Sequence, residues 1–448
     1  MTSLSHCTTS CRRRGWVRWT AGLALACVAL IAQPARAQPG LGGGDSAVAG
    51  EILLRLRSTA ALGPLLTQHG LRLVAQFGAR PLYRVARITA GDVGDTLAAL
   101  KLDAQVLLAE RNSLHRSPEA RRNNAWAIGN ATAYVAQWAP QAMRLGAAQS
   151  LSRGAGMRVA VLDTGVDRTH PLLAPRLLPG VDFVDGDLDP SEVGSSLTHP
   201  SYGHGTHVAG LVALVAPAAS IMPLRVLDAD GAGNAWVLAE ALLHAVDPDR
   251  NPATADGAHV INMSLGSLNR TELLDSVGRL ASCAIPAEII EPKDDFSDPG
   301  YHDDKARCAA GQAAVLVAAA GNDASASLRE YPAAEGVYGL IAVTAHAADG
   351  RLAGFANSGN WIHIAAPGEG LTSSFPGGWA TWSGTSMAAP LVAGVAALMR
   401  AREPQLSPRD IERRITRRSG SLCDSRLRRL DALSALQGSP AAEAICAP

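Results

Sequence analysis

Two rhythms of apolar residues run along this chain. From Ile52 to Glu110 the runs are short. The alternation in Ile52-Leu53-Leu54-Arg55-Leu56-Arg57 predicts a strand and Ala60 to His69 a helix. Leu71 to Phe77 and Leu82 to Ile88 predict two more strands, Val93 to Leu100 a helix and Val106 to Glu110 a last strand. The order β-α-β-β-α-β is the ferredoxin-like arrangement, which hosts many unrelated functions and by itself predicts none. Between about Asn112 and Gln137 arginines, asparagines and alanines replace any period. That composition suits an exposed connection open to proteolytic nicking, so a domain boundary is expected there.

Beyond the boundary the apolar runs lengthen and become continuous. Val159 to Leu162, Ile221 to Leu227, Val260 to Met263, Val315 to Ala319 and Leu340 to Val343 predict strands buried on both faces. His207 to Val215, Ala235 to Val246, Leu273 to Ala281 and Ala388 to Arg400 carry helical periodicity between them. Strands alternating with helices predict an α/β fold with a mostly parallel sheet.

Composition adds limits. The 448 residues are 47% hydrophobic, enough for more than one cored domain. Lys and Arg together number 40, as do Asp and Glu, so no global field attracts nucleic acid or an anionic membrane, and neither is expected as a partner. The arginines between 409 and 429 are then ordinary surface cations, since only Lys101, Lys293 and Lys305 supplement arginine anywhere.

At the start, Arg12, Arg13 and Arg14 precede an apolar stretch from Ala21 to Ile31 and the small-residue site Ala35-Arg36-Ala37. This is the layout of an export signal spanning 1–37. The run is short of the roughly 20 residues a spanning helix needs, so no stable membrane anchor is expected and the product is read as secreted or periplasmic. Four cysteines follow the signal: Cys283, Cys308, Cys423 and Cys446. In an oxidising compartment they suggest two disulfides, and of three connectivities the sequence-local one is favoured, Cys283 with Cys308 and Cys423 with Cys446.

Candidate chemistry sits where the long-run elements end. Asp163 follows an apolar strand and opens Asp163-Thr164-Gly165, at the strand edge where α/β sheets place their sites. His204 precedes a helix in Gly203-His204-Gly205-Thr206-His207-Val208-Ala209-Gly210, and Ser386 begins another in Ser383-Gly384-Thr385-Ser386-Met387-Ala388-Ala389-Pro390. A nucleophile, a base and a group to hold the base are the parts of nucleophilic catalysis. His204 and His207 have metal-like spacing, but the glutamate of a His-Glu-x-x-His zinc site is missing.

With Ala320-Gly321-Asn322, these segments resemble the four signatures of the subtilisin-like serine proteases, in that family's order of Asp, His, Ser. The resemblance covers about Gln137 to Leu436. It implies a three-layer αβα fold and a serine endopeptidase needing no cofactor for its chemistry. In that reading Ser386 attacks the scissile carbonyl, His204 relays its proton and Asp163 fixes the imidazole. The Asn322 amide and the Ser386 N–H would bind the oxyanion.

The resemblance also implies an extended-peptide binding edge at Ser264, Leu265 and Gly266. It puts Glu330, ahead of Tyr331-Pro332, near the base of the primary pocket, where a carboxylate would favour substrate arginine or lysine. The run Asp182, Asp185, Asp187 and Asp189 alternates carboxylates as hard cations require and suggests a structural calcium site. An acidic insertion between Cys283 and Cys308 departs from the family pattern. The expected organisation is a signal (1–37), a ferredoxin-like propeptide inhibitor (48–111), a processing linker (112–136), the catalytic domain (137–437) and a short tail (438–448). A monomer acting on polypeptides, with its own propeptide as intramolecular inhibitor, is expected.

Overall fold

The fully apolar runs become a sheet whose two faces are both covered. The computed structural model describes residues 47–78, 80–121, 127–251, 253–284 and 306–441, all within one compact unit. The signal segment, residues 285–305 of the insertion, and Cys446 lie outside the described residues.

The N-terminal part holds β1 (Ala47–Leu56), α1 (Leu62–Gln68), β2 (Leu71–Gln76), β3 (Leu82–Arg87), α2 (Gly94–Leu100) and β4 (Val106–Arg116). Its strands pair antiparallel in the order β2-β3-β1-β4. Strand alternation splits β1 between two cores. Ile52, Leu54 and Leu56 pack under the helices with Leu65, Val93 and Leu100, while Leu53 joins Phe77 and Leu82 against Trp236 of the larger part.

After the short β5 (Ala127–Ile128), α3 (Ala131–Ala136), α4 (Ala139–Ala142) and α5 (Leu145–Leu151), the large sheet begins with β6 (Arg158–Asp163). It continues with β7 (Val181–Asp182), α6 (His204–Val215), β8 (Ser220–Arg225), β9 (Ala232–Asn234), α7 (Ala235–Val246), β10 (Val260–Met263), α8 (Glu272–Ala281), β11 (Val315–Ala319), β12 (Leu340–His346) and β13 (Ile364–Pro367). The hairpin β14 (Leu371–Phe375) and β15 (Gly378–Trp382) leads into α9 (Thr385–Arg402). α10 (Pro408–Arg417), β16 (Gly420–Ser421), β17 (Arg428–Arg429) and α11 (Ala432–Gln437) close the chain. The sheet order is β16-β17-β13-β12-β11-β10-β6-β8-β7, parallel except at the β16–β17 edge.

Period two sorts the core into layers. Val159, Val161, Val317, Ile341 and Val343 face α6 and α9; Ala160, Leu162, Leu316, Ala318 and Ala342 face α7 and α8. This is the expected three-layer αβα fold. α9 is buried from Thr385 to Arg400. It crosses α6 at Gly394, where a Cβ would lie 2.8 Å from Val215 Cγ1, so only a bare backbone fits.

Of the boundaries that differ from the sequence expectation, two bear on the site. β4 runs on to Arg116, because residues past Glu110 pair with β1 and with β9 rather than entering solvent. Asn112, Ser113, His115 and Ser117 are accordingly buried. α6 starts at His204 rather than His207, since Gly203 adopts φ +84° and turns the chain directly into the helix.

Candidate active site

Asp163 is the last residue of β6, His204 the first of α6, and Ser386 lies in the first turn of α9, so three separate elements converge on one sheet edge. His204 Nδ1 donates to Asp163 Oδ1 at 2.6 Å. Asp163 Oδ1 also accepts from the Thr164 N–H at 2.8 Å. Nearby, Glu192 accepts from Thr164 Oγ1 (3.0 Å), Gly203 N–H (3.1 Å), and Thr206 N–H and Oγ1 (3.0 and 2.9 Å). It therefore ties the Asp163 turn to the first turn of α6. Burial and the neighbouring Asp163 push the Glu192 carboxyl up, against the bonds from Thr206.

Asn322 follows β11. Its Oδ1 accepts from Thr385 N–H and Thr385 Oγ1, both at 2.9 Å, which turns its Nδ2 donor toward Ser386. Ser264 Oγ accepts from Asn262 Nδ2 (3.0 Å) and donates to Ser386 O (2.8 Å), anchoring the start of α9 from below.

The cleft beside these residues holds part of the chain itself. Leu114, His115 and Arg116 pair antiparallel with Asn234, Gly233 and Ala232 of β9 on one side. On that same side Ser117 N–H reaches Gly231 O at 2.9 Å, and on the other Arg116 and Gly266 exchange N–H···O bonds of 2.8 Å each. The predicted binding edge Ser264-Leu265-Gly266 is thus engaged by an extended strand. A 3₁₀ turn follows from Pro118, and it brings Glu119 onto His204, Asn322 and Ser386. Glu119 Oε2 accepts from Ser386 Oγ (2.6 Å) and His204 Nε2 (3.0 Å); Oε1 accepts from Asn322 Nδ2 (2.9 Å). No sequence signal marked this residue, which lies in a stretch without period or motif.

Burial alone would lower the His204 pKa, but the charges of Asp163 and Glu119 and their hydrogen bonds lift it to about 10. His207, one turn on, falls to about 3 through burial and the charge of His204. Its Nε2 sits 3.2 Å from both Leu371 O and Ala380 O, a packing role rather than a metal ligand's. Glu119 is held below the ordinary carboxylate range: burial opposes its charge, and the His204 and Ser386 bonds outweigh that.

Glu330 is fully buried, and its carboxyl group lies against Gly266 and Gly321. A Cβ on Gly266 would come within 2.7 Å of Oε1, and one on Gly321 within 3.2 Å of Oε2. The acidic run is organised differently from the expectation. Asp182 and Asp185 both pair with Arg225, and Asp189 pairs with Arg168 at 2.9 Å, so arginines stand where a shared cation was expected. Asp187 Oδ1 accepts from the Asp189 N–H. Among the described residues, the carboxylates close enough to share an ion are Asp247, Asp249 and Asp256. Cys283 and Cys308 form the expected disulfide. Cys423 is disulfide-bonded, and its expected partner Cys446 is outside the described residues. No described helix is long and apolar enough to cross a membrane.

Comparison with known proteins agrees with this layout. The subtilase family model matches residues 154–438. The thermophilic serine proteinase of Bacillus sp. (strain AK1) is 33% identical over 321 residues, covering 69% of this chain and 67% of that protein. Thermitase from Thermoactinomyces vulgaris is 33% identical over 274 residues, 59% of this chain and 81% of its own. Among solved structures, fervidolysin from Fervidobacterium pennivorans, a keratinolytic enzyme related to subtilisin, superposes with a TM-score of 0.65. That match covers 88% of this chain and 62% of the other, and at 22% identity it speaks for the fold alone. A protease from Pseudoalteromonas arctica gives a TM-score of 0.56 at 28% identity, covering 70% of this chain and 99% of its own.

Proposed function

This chain belongs to the subtilase family of serine endopeptidases, and on that premise we propose that it is an exported, self-processing enzyme that cuts peptide bonds with Asp163, His204 and Ser386. The observation that carries the reading is the convergence of these residues with Asn322 at the ends of β6, α6, α9 and β11. An extended substrate strand lies between β9 and Gly266, in the groove that Leu114 to Arg116 occupy in the intact chain. Ser386 Oγ attacks the carbonyl as His204 Nε2 takes its proton. Asp163 holds Nδ1–H and so fixes the tautomer and offsets the imidazolium charge. The oxyanion forms beside Asn322 Nδ2 and the Ser386 N–H, where the start of α9 adds positive dipole. His204 then protonates the leaving amine and activates water for deacylation. The chain's own side chains and backbone, with water, supply every step, so the chemistry requires no cofactor.

Residues 1–37 direct export, 48–111 form the inhibitory propeptide, and the catalytic domain spans 137–437. Glu330, whose carboxyl group lies against Gly266 of the binding edge and Gly321 beside Asn322, sets the primary specificity, with arginine or lysine preferred before the cut.

Casein digestion by the matured protein, abolished in Ser386→Ala, tests the activity. The expected loss is about 10⁶-fold, the scale known for subtilisin itself. Persistent digestion by that variant sinks the triad. With arginyl and phenylalanyl peptides, Glu330→Gln should remove the preference for arginine; equal rates in the unaltered enzyme refute the pocket assignment.

A further inference from the structure

Hydrolysis by Asp163, His204 and Ser386 uses no second carboxylate on His204, yet Glu119 supplies one. We infer that Glu119 is an intramolecular latch, which keeps the intact chain inactive by taking the hydrogen bonds that His204, Ser386 and Asn322 would give to a substrate. This rests on the triad reading above.

The geometry goes beyond blocking a groove. The strand from Leu114 to Ser117 lies where a substrate would, but the chain then coils, with Ala120 N–H bonded to Ser117 O at 3.0 Å. The group facing Ser386 and Asn322 is a side-chain carboxylate instead of a peptide carbonyl. It contains no scissile bond, and its negative charge repels a nucleophilic oxygen. Oε1 occupies the donor meant for the oxyanion and Oε2 the proton of Ser386. The Glu119 side chain is only 9% exposed, so water does not dilute these charge-assisted bonds.

The latch also removes the base. With Asp163 on Nδ1 and Glu119 on Nε2, His204 holds both protons as an imidazolium and has no lone pair for the Ser386 proton. The charged and titratable groups around it are Asp163 from β6, Glu119 from the 3₁₀ turn, His207 along α6 and Glu192 from the preceding loop. His207 is neutral, its pKa near 3, and Glu192 spends both oxygens on Thr164, Gly203 and Thr206, so the Asp163–His204–Glu119 set is what touches the ring nitrogens.

The pH window follows from the two shifts. A raised His204 pKa stabilises the latch fully below the ordinary histidine value of about 6.5, and that part fades as pH rises toward about 10. A lowered Glu119 pKa contributes above the ordinary glutamate value of about 4.3 and fades as pH falls through its depressed value. The latch is tightest between these ordinary values and loosens on the alkaline side. Maturation therefore begins with Glu119 leaving the site.

The test uses the full precursor and a fluorophosphonate probe of Ser386, counting label on the uncut band of a gel. At pH 6, Glu119→Gln, which keeps the side-chain shape, should label about ten- to a hundredfold faster than the unaltered precursor, the worth of one charge-assisted hydrogen bond. Its advantage should shrink as pH approaches 10. Glu119→Ala should behave alike. If both variants label at the unaltered rate while the matured enzyme labels quickly, the latch is refuted and the triad reading stands. If the matured enzyme neither labels nor digests casein, the triad reading fails and the latch with it.

Discussion

The N-terminal part meets the rest of the chain in two places that differ in kind. Its sheet face is apolar: Leu53, Phe77 and Leu82 pack on Trp236, with the Phe77 and Trp236 rings 5.3 Å apart and edge to face. At the border of that face Glu110 caps α8 through the N–H groups of Glu272 and Leu273, at 2.9 and 3.0 Å. The tip is polar: backbone bonds tie it to β9, Gly231 and Gly266, and through Glu119 it reaches His204, Asn322 and Ser386. Apolar burial supplies adhesion without regard to protonation, whereas the tip depends on charge. Holding on and shutting off are thus assigned to different residues, and each can be removed without the other.

The largest break in that division should come from Phe77→Ala. In a precursor kept uncut by Ser386→Ala, it should lower stability by about 3 kcal/mol, read from denaturant melts. Under the proposed processing the matured enzyme lacks this residue, so the variant gene should yield mature protein of normal specific activity; a lowered value would mean that the sheet face also shapes the site. Glu110→Ala removes one cap and should cost the same precursor about 1 kcal/mol, leaving probe labelling at pH 6 unchanged. Faster labelling would show that adhesion and shut-off are coupled. The smallest effect is expected for Arg111→Ala. It breaks an ion pair with Asp92 that is 44% and 71% exposed, worth less than about 1 kcal/mol by the same melts. A larger loss would mean that exposed charge contributes to the fold of the N-terminal part itself.

The large sheet was legible because burial on both faces demands unbroken apolar runs. Val260–Met263, Val315–Ala319 and Ala235–Val246 appear with the bounds their sequences predict. Asp163, His204, Asn322 and Ser386 were legible because each sits in a short motif at an element's end. The tip was not. A strand held by backbone bonds to β9 and Gly266 needs no apolar alternation, so Asn112, Ser113, His115 and Ser117 give no periodic signal although all are buried. Glu119 owes its place to that pairing and to the single 3₁₀ turn that follows it. The acidic run misled for a related reason. Arg225 and Arg168, which pair with three of its four carboxylates, lie outside the run in sequence, and spacing among aspartates says nothing about an arginine folded among them.

The bare crossing at Gly394 sets a tolerance on the chemistry. His204 and Ser386 ride on different helices, and what fixes their separation is how closely α6 and α9 can approach two turns into the core. Any side chain at that crossing would wedge the helices apart at their shared point and transmit the displacement along two rigid rods to the nucleophile and its base. The alignment of the site is therefore a property of the core's machining, and drift in the interior would be felt as lost turnover before it was felt as unfolding.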